Sequence, residues 1–176
     1  NTAALPAERV AGGNSDSAGR MATILQVLPA LGAGGVERGT VEIAQAIVEA
    51  GGRALVASAG GPLQHDLKRV GAEHFRLPVD SKNPLVMQAN IARLSDLIGQ
   101  QGVDIVHVRS RAPAWSAYFA AKRTNRRFIT TFHGTYGAGS WLKRYSNSVM
   151  TKGERVIAIS TFIAGHVRRV YGVPAA

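Results

Sequence analysis

Residues 23–51 read TILQVLPALGAGGVERGTVEIAQAIVEAG, and the punctuation of this stretch decides the fold. Residues 23–28 form a short, largely apolar run, the pattern of a buried strand. Gly32, Gly34 and Gly35 break that run, and from near Val36 the spacing becomes helical until Gly51 ends it. A strand that delivers a glycine turn onto a helix N-terminus leaves unpaired backbone N–H groups and the positive end of the helix dipole facing one spot. That spot suits a phosphate. Glycine lets a ligand approach the main chain, and it is the residue expected where such a turn needs positive φ.

The same alternation repeats downstream. Strands are expected at 53–59, 74–78, 103–109, 127–132 and 155–159. Helices are expected at 62–70, 83–98, 113–123 and 141–152, with a last one starting at the N-cap Ser160 and ending near Gly172. Strand and helix in regular alternation predict an α/β domain: a doubly wound, Rossmann-like parallel sheet with helices on both faces. Ligands of such sheets sit beyond the carboxyl ends of the strands, where strand order reverses. The residues just past each strand end are therefore the informative ones: Gly34 and Gly35, Gly60 and Gly61, Arg109 and Arg111, His133, and Ser160. Glycines, arginines, a histidine and a hydroxyl along one edge suit a phosphorylated or sugar-like ligand.

Two nucleotide motifs fail at the glycine turn. A P-loop requires Gly-Lys-Ser/Thr at the helix start, where this chain has Gly-Gly-Val-Glu. A G-x-G-x-x-G fingerprint would begin at Gly32 and Gly34 but meets Glu37 at its third glycine. The next strand also ends in Gly60 and Gly61 rather than in an acidic ribose ligand.

The 176 residues suffice for one α/β domain with a substantial core. The chain has no cysteine, which excludes disulfides and thiolate metal sites and fits a reducing, cytoplasmic setting. No apolar run reaches the ~18 residues of a membrane span. Residues 1–20, rich in Ala, Gly and Ser, read as a flexible tail without the features of a signal peptide, so the globular part is expected to begin near Met21. The net charge of +10 is one-sided: nine basic residues oppose ten acidic ones through Val108, whereas twelve oppose Glu154 alone from Arg109 on. Such a field points to an anionic partner, a nucleic acid or an anionic membrane face, or is simply the solvated surface of a basic protein. No nucleic-acid recognition element is discernible, which disfavours that partner.

The Gly-Gly-x-Glu-Arg turn at 34–38 and the Phe-His-Gly at 132–134, in this order and on these strand ends, resemble the N-terminal domain of the family-4 glycosyltransferases, retaining enzymes of the GT-B fold. The resemblance runs from about Met21 to the end. It implies the acceptor-side half of an enzyme that moves a sugar from a nucleotide-diphosphate donor to a glycan or lipid-linked acceptor. The segment VHVRSRAPAW at 106–115 also resembles bacterial members engaged in lipopolysaccharide and other cell-surface glycan assembly. The family's Glu-x7-Glu pair belongs to a second domain and has no counterpart among these residues, so this piece alone is expected to be inactive. No Asp-x-Asp occurs, and no metal or other cofactor is expected. A binding module for nucleotide sugars or nucleic acid, without catalysis, is the alternative.

By this resemblance His133 would face the transferred sugar, with a loop histidine satisfying backbone groups as the plainer account. Gly34 and Gly35 would stabilise the departing diphosphate. Arg109 and Arg111 would read an anionic group of the acceptor, because a guanidinium binds phosphate or carboxylate bidentately. Glu37 is either an acceptor-side residue or a carboxylate serving its own helix N-terminus, and Ser160 is either a site residue or a cap. His107, inside its strand, reads as a buried, hydrogen-bonded core histidine. Finally, Trp141, Leu142, Tyr145 and Val149 make an apolar stripe with Lys143, Arg144 and Lys152 beside it. Either the stripe packs on the sheet or it lies in a membrane interface, which would place the protein peripherally on the inner face of the plasma membrane.

Overall fold

The computed structural model describes residues 21–137 and 139–174; the segment read as a tail lies outside them. Six strands, β1 (Thr23–Val27), β2 (Arg53–Ser58), β3 (Glu73–Arg76), β4 (Ile105–Val108), β5 (Arg127–Phe132) and β6 (Arg155–Ala158), form one sheet. Helices α1 (Gly35–Glu49), α2 (Gln64–Arg69), α3 (Pro84–Gln101), α4 (Ala114–Arg123) and α5 (Trp141–Ser148) connect them, and α6 (Thr161–Tyr171) follows β6. Every pairing is parallel, in the order β3-β2-β1-β4-β5-β6. This is a Rossmann-like α/β domain.

Alternation along the strands sorts the core into two layers. Leu25, Val27, Leu55, Ala57, Val106 and Val108 face one side of the sheet with Leu94 and Ile98 of α3 and Ala117 and Ala121 of α4. Ala54 and Val56 face the other side with Ala44 of α1 and Leu67 of α2. Alanines dominate the buried face of α4, so that helix can approach closely.

The helix ends follow their sequence signals. Asn83 caps α3 by accepting from Leu85 N at 2.9 Å, and Gly102 ends it at φ +61°. Ser160 caps α6 by accepting from Ile163 N at 3.3 Å. Gly60 and Gly61 have backbone rather than ligand-facing roles: their φ angles are +103° and +149°, and a Cβ on Gly61 would strike the Leu31 carbonyl. Leu31 N donates to Gly60 O at 2.9 Å, so this turn ties the end of β2 to the loop after β1.

Strand order reverses between β1 and β4. Val27 lies opposite Val108, and Arg109 N continues the ladder by donating to Val27 O at 3.0 Å. The loops after β1 and β4 therefore part at one crevice. Leu25, fully buried at the centre of this sheet, is the simplest gauge of the core. Leu25→Ala is expected to lower stability by ~2–5 kcal/mol, read by urea unfolding.

Candidate functional site at the strand-order reversal

A cavity of about 320 Å³ opens at this crevice. Its wall comprises Pro29 after β1, Val36 and Glu37 in the first turn of α1, Arg109 and Arg111 after β4, and His133 with Tyr136 after β5. Of the residues expected at the site, Glu37, Arg109, Arg111 and His133 thus meet in one place. Gly34 and Gly35 immediately precede its wall and are exposed, whereas Ser160 caps α6 and does not line it.

The glycine turn after β1 uses no positive φ. None of Gly32, Gly34 and Gly35 has positive φ, and Gly34, the N-cap of α1, is extended at φ −75°, ψ 173°. A Cβ there would lie 2.5 Å from Glu37 Oε2, so the carboxylate occupies the space that the missing side chain leaves. A Cβ on Gly35 would meet nothing within 4 Å.

Arg109 is only 5% exposed, and its Nε is buried without a hydrogen-bond partner within the protein. Burial pulls its pKa down and Glu42 opposes that pull. The guanidinium lies so close over α1 that a Cβ on Gly39 would be 3.0 Å from Nη2. His133 Nε2 is likewise buried and unpartnered. Burial, then the charge of Arg109, lowers the His133 pKa below its usual 6.5, with Glu37 pulling the other way. His133 is accordingly a neutral imidazole near pH 7, able to donate or accept one hydrogen bond. Two buried polar nitrogens without partners at one cavity are costly unless a ligand completes them.

His107 is the core histidine that the sequence suggests: it hydrogen-bonds Thr131 Oγ1 at 2.7 Å, and burial, Arg109 and His133 push its pKa down to about 3. Arg111, in contrast, is exposed. Its Nη1 donates to Asn147 Oδ1 at 3.2 Å, and its guanidinium lies 4.3 Å from the Tyr136 ring centroid. Tyr136 and Asn147 are the neighbours that sequence reasoning misses. The glycines flanking Tyr136 mark only a loop, and Asn147 is a polar residue on the buried side of α5.

The chain belongs to glycosyltransferase family 4. Residues 33–176 match that family, and no curated protein matches the chain. Among solved structures, a glycosyltransferase from Rickettsia africae ESF-5 is 45% identical, with a TM-score of 0.76 over 87% of this chain and 40% of that one. Anabaena Alr3699/HepE in complex with UDP and glucose shares 17% identity over 85% of this chain and 41% of its own, with a TM-score of 0.69. The lipopolysaccharide outer core galactosyltransferase WaaB shares 14% over 85% and 42%, with a TM-score of 0.62. The last two show the fold alone, that of the N-terminal domain of a GT-B glycosyltransferase. The chain spans about two fifths of the length of these structures.

The apolar stripe on α5 does not pack on the sheet. Val149 is buried, but Trp141, Leu142 and Tyr145 are 76%, 60% and 64% exposed. The helix stops at Ser148 and gives way to a tighter 3₁₀ turn (Val149–Thr151), and Asn147, Val149 and Met150 turn inward instead. No helix among the described residues is long and apolar enough to cross a membrane.

The depressed His107 pKa fixes the sign of an acid response. The unfolded chain takes up a proton below pH 6.5 and the folded chain does not until about 3, so stability falls as pH drops through that window. The slope expected from this group approaches about 1.4 kcal/mol per pH unit. Urea unfolding at several pH values should show a shallower decline in His107→Gln, and an unchanged pH profile would contradict the assignment.

Proposed function

We propose that this family-4 domain is the acceptor-side half of a retaining glycosyltransferase, moving a sugar from a nucleotide-diphosphate donor to a glycan or lipid-linked acceptor. The observation that carries the reading is the pair of unpartnered nitrogens, Arg109 Nε and His133 Nε2, buried at one cavity where strand order reverses. Arg109 is a cation that pays its own desolvation, and an anionic group would compensate it. Neutral His133 would hydrogen-bond a sugar hydroxyl, which needs no proton transfer to its ring.

The roles follow from charge and placement. Arg109 and Arg111 would read phosphate or carboxylate on the acceptor, Arg111 from the exposed rim. Gly35, with open space before it at the start of α1, would offer backbone N–H groups and the helix dipole to the leaving diphosphate. Glu37, whose carboxylate lies over Gly34, would accept from a hydroxyl of the acceptor and keep the diphosphate toward Gly35. These arginines and backbone dipoles would supply the positive field that a metal supplies elsewhere. UDP and glucose in HepE, and the lipopolysaccharide role of WaaB, make a nucleotide sugar and a cell-surface glycan the first substrates to try.

In the intact enzyme Arg111→Ala is expected to raise the acceptor KM by roughly 10–100-fold, the loss of one charge-assisted contact, with kcat within about threefold. An acceptor KM that does not move would remove Arg111 from the site.

A peripheral membrane contact has its own observation. Trp141, Leu142 and Tyr145 are exposed on a short helix that also carries Lys143 and Arg144, with Lys152 nearby in the chain. Exposed aromatic and apolar residues flanked by lysine and arginine fit the interface of an anionic bilayer. Vesicles containing phosphatidylglycerol should bind the protein in a salt-dependent manner, and Trp141→Ser with Leu142→Ser should abolish that binding. Equal binding to pure phosphatidylcholine, or none to either, would refute the contact.

A further inference from the structure

Helix α5 is inverted relative to an ordinary amphipathic helix. Trp141, Leu142 and Tyr145 are exposed, whereas Asn147 is buried, at 3% exposure. A helix on a sheet usually turns apolar side chains inward and amides outward. A buried amide needs hydrogen bonds at both ends, and those of Asn147 reach two other segments. Its Oδ1 accepts from Arg111 Nη1 and its Nδ2 donates to the Gly137 carbonyl, each at 3.2 Å.

Both segments belong to the cavity. Arg111 lines it from the loop after β4, and Gly137 follows Tyr136, which lines it from the loop after β5. The Arg111 guanidinium also lies 4.3 Å from the Tyr136 ring centroid. That ring is braced against the buried Phe132, centroid to centroid at 5.1 Å. The Tyr136 carbonyl accepts from His166 Nε2 at 3.3 Å and from the Tyr171 hydroxyl at 3.4 Å, both on α6. Arg111 is thus held on its face by an anchored ring and on its edge by a buried amide.

The placement of α5 has other supports. Trp115 Nε1 donates to Ser146 O at 3.0 Å, Thr130 Oγ1 donates to Met150 O, and Val149 and Met150 are buried. What Asn147 adds is the hold on Arg111. An exposed arginine so tethered has already given up side-chain freedom that it would otherwise lose on meeting a ligand. The hold also preserves its charge. Asn147 is neutral and takes one of the five guanidinium donors, so the group can still pair with an anion, whereas a carboxylate at 147 would neutralise it.

We propose that Asn147 is a positioning residue of the sugar-transfer site: from α5 its amide sets the Arg111 guanidinium at the cavity rim, ready for an anionic group of the acceptor. The role rests on the reading of the cavity as the transfer site. It acts through Arg111, which separates it from a general contribution to packing.

The test uses Asn147→Leu, Asn147→Asp and Arg111→Ala in the full chain, with NMR and with pyrophosphate as the anionic probe. In Asn147→Leu the heteronuclear NOE of Arg111 Nε–H is expected to fall toward that of an untethered arginine, and pyrophosphate should bind roughly tenfold more weakly. In the Arg111→Ala background Asn147→Leu should change the affinity by less than about threefold, because nothing is left for the amide to position. Asn147→Asp, which keeps the shape and the acceptor, should leave Arg111 rigid yet weaken pyrophosphate binding roughly tenfold by neutralising the guanidinium. An unaltered NOE in Asn147→Leu, an unaltered affinity in either variant, equal losses in the two backgrounds, or a mobile Arg111 in Asn147→Asp would each overturn the proposal. Should Asn147→Leu not fold, Asn147→Asp decides. If the NOE falls in Asn147→Leu but the unsubstituted chain binds no pyrophosphate, the hold on Arg111 stands, and it is the anion-reading function of the cavity that fails.

Discussion

The burial of one guanidinium organises this domain's functional edge. Arg109 follows β4 at the reversal of strand order, and its backbone N–H still belongs to the β1–β4 ladder. With the main chain so fixed, the side chain lies across α1, where a Cβ at position 39 would be 3.0 Å from Nη2. Desolvating a cation is costly, and Glu42 supplies only partial relief through its field. The consequences spread to the neighbours. His107 and His133 both feel the charge of Arg109, and both are held neutral by it together with burial. One histidine satisfies itself within the core through Thr131. The other keeps a buried nitrogen without a hydrogen-bond partner.

Most of this frame is legible in the sequence because its determinants are local. Glycine and proline punctuation, β-branched runs such as 105–108 and the caps Asn83 and Ser160 act within a few residues, and the resulting alternation admits few topologies. The rule that strand ends share one edge brings Arg109, Arg111 and His133 together, but it also gathers Ser160, which caps α6 and does not line the cavity. What could not be read is set by contacts between distant segments. That Arg109 is buried while Arg111 is exposed depends on the packing of α1 across the sheet. That the Glu37 carboxylate fills the space beside Gly34 depends on a rotamer, and that Gly34 is extended depends on how the turn meets α1. Tyr136 belongs to the site through the loop after β5, and Asn147 through α5, from which it reaches Arg111 and that loop.

The α5 region shows the limit of periodicity as a signal. Trp141, Tyr145 and Val149 recur at spacings of four, which a regular helix would place on one face. The helix ends before Val149, and the 3₁₀ turn rotates the following residues, so Val149 is buried while the two aromatics stay outside. Tyr145 then stacks on Trp115 at 5.5 Å, and Trp115 in turn stacks on Phe119 at 5.7 Å. An aromatic ridge thus spans α4 and α5, with Lys152 Nζ 6.0 Å from the Trp115 ring. The rings are engaged with one another and with cations, which suits a surface that meets an interface broadly better than one that intercalates single bases.

The Glu37 carboxylate bears most directly on what the cavity can accept. It lies at the N-terminus of α1, where the dipole already favours a negative charge, and it shares the cavity with a neutral imidazole and two guanidinium groups. An incoming anion near Gly34 would therefore meet a like charge in place, while one near Gly35 would meet open backbone. The cavity thus carries two kinds of chemistry: guanidinium groups that attract anions, and a carboxylate and a neutral imidazole that suit hydroxyl groups. A ligand carrying both a charged group and a polyol matches that mixture better than a simple anion does. The physical case for a sugar-bearing substrate thus rests on the combination of these groups and not on the glycine turn alone.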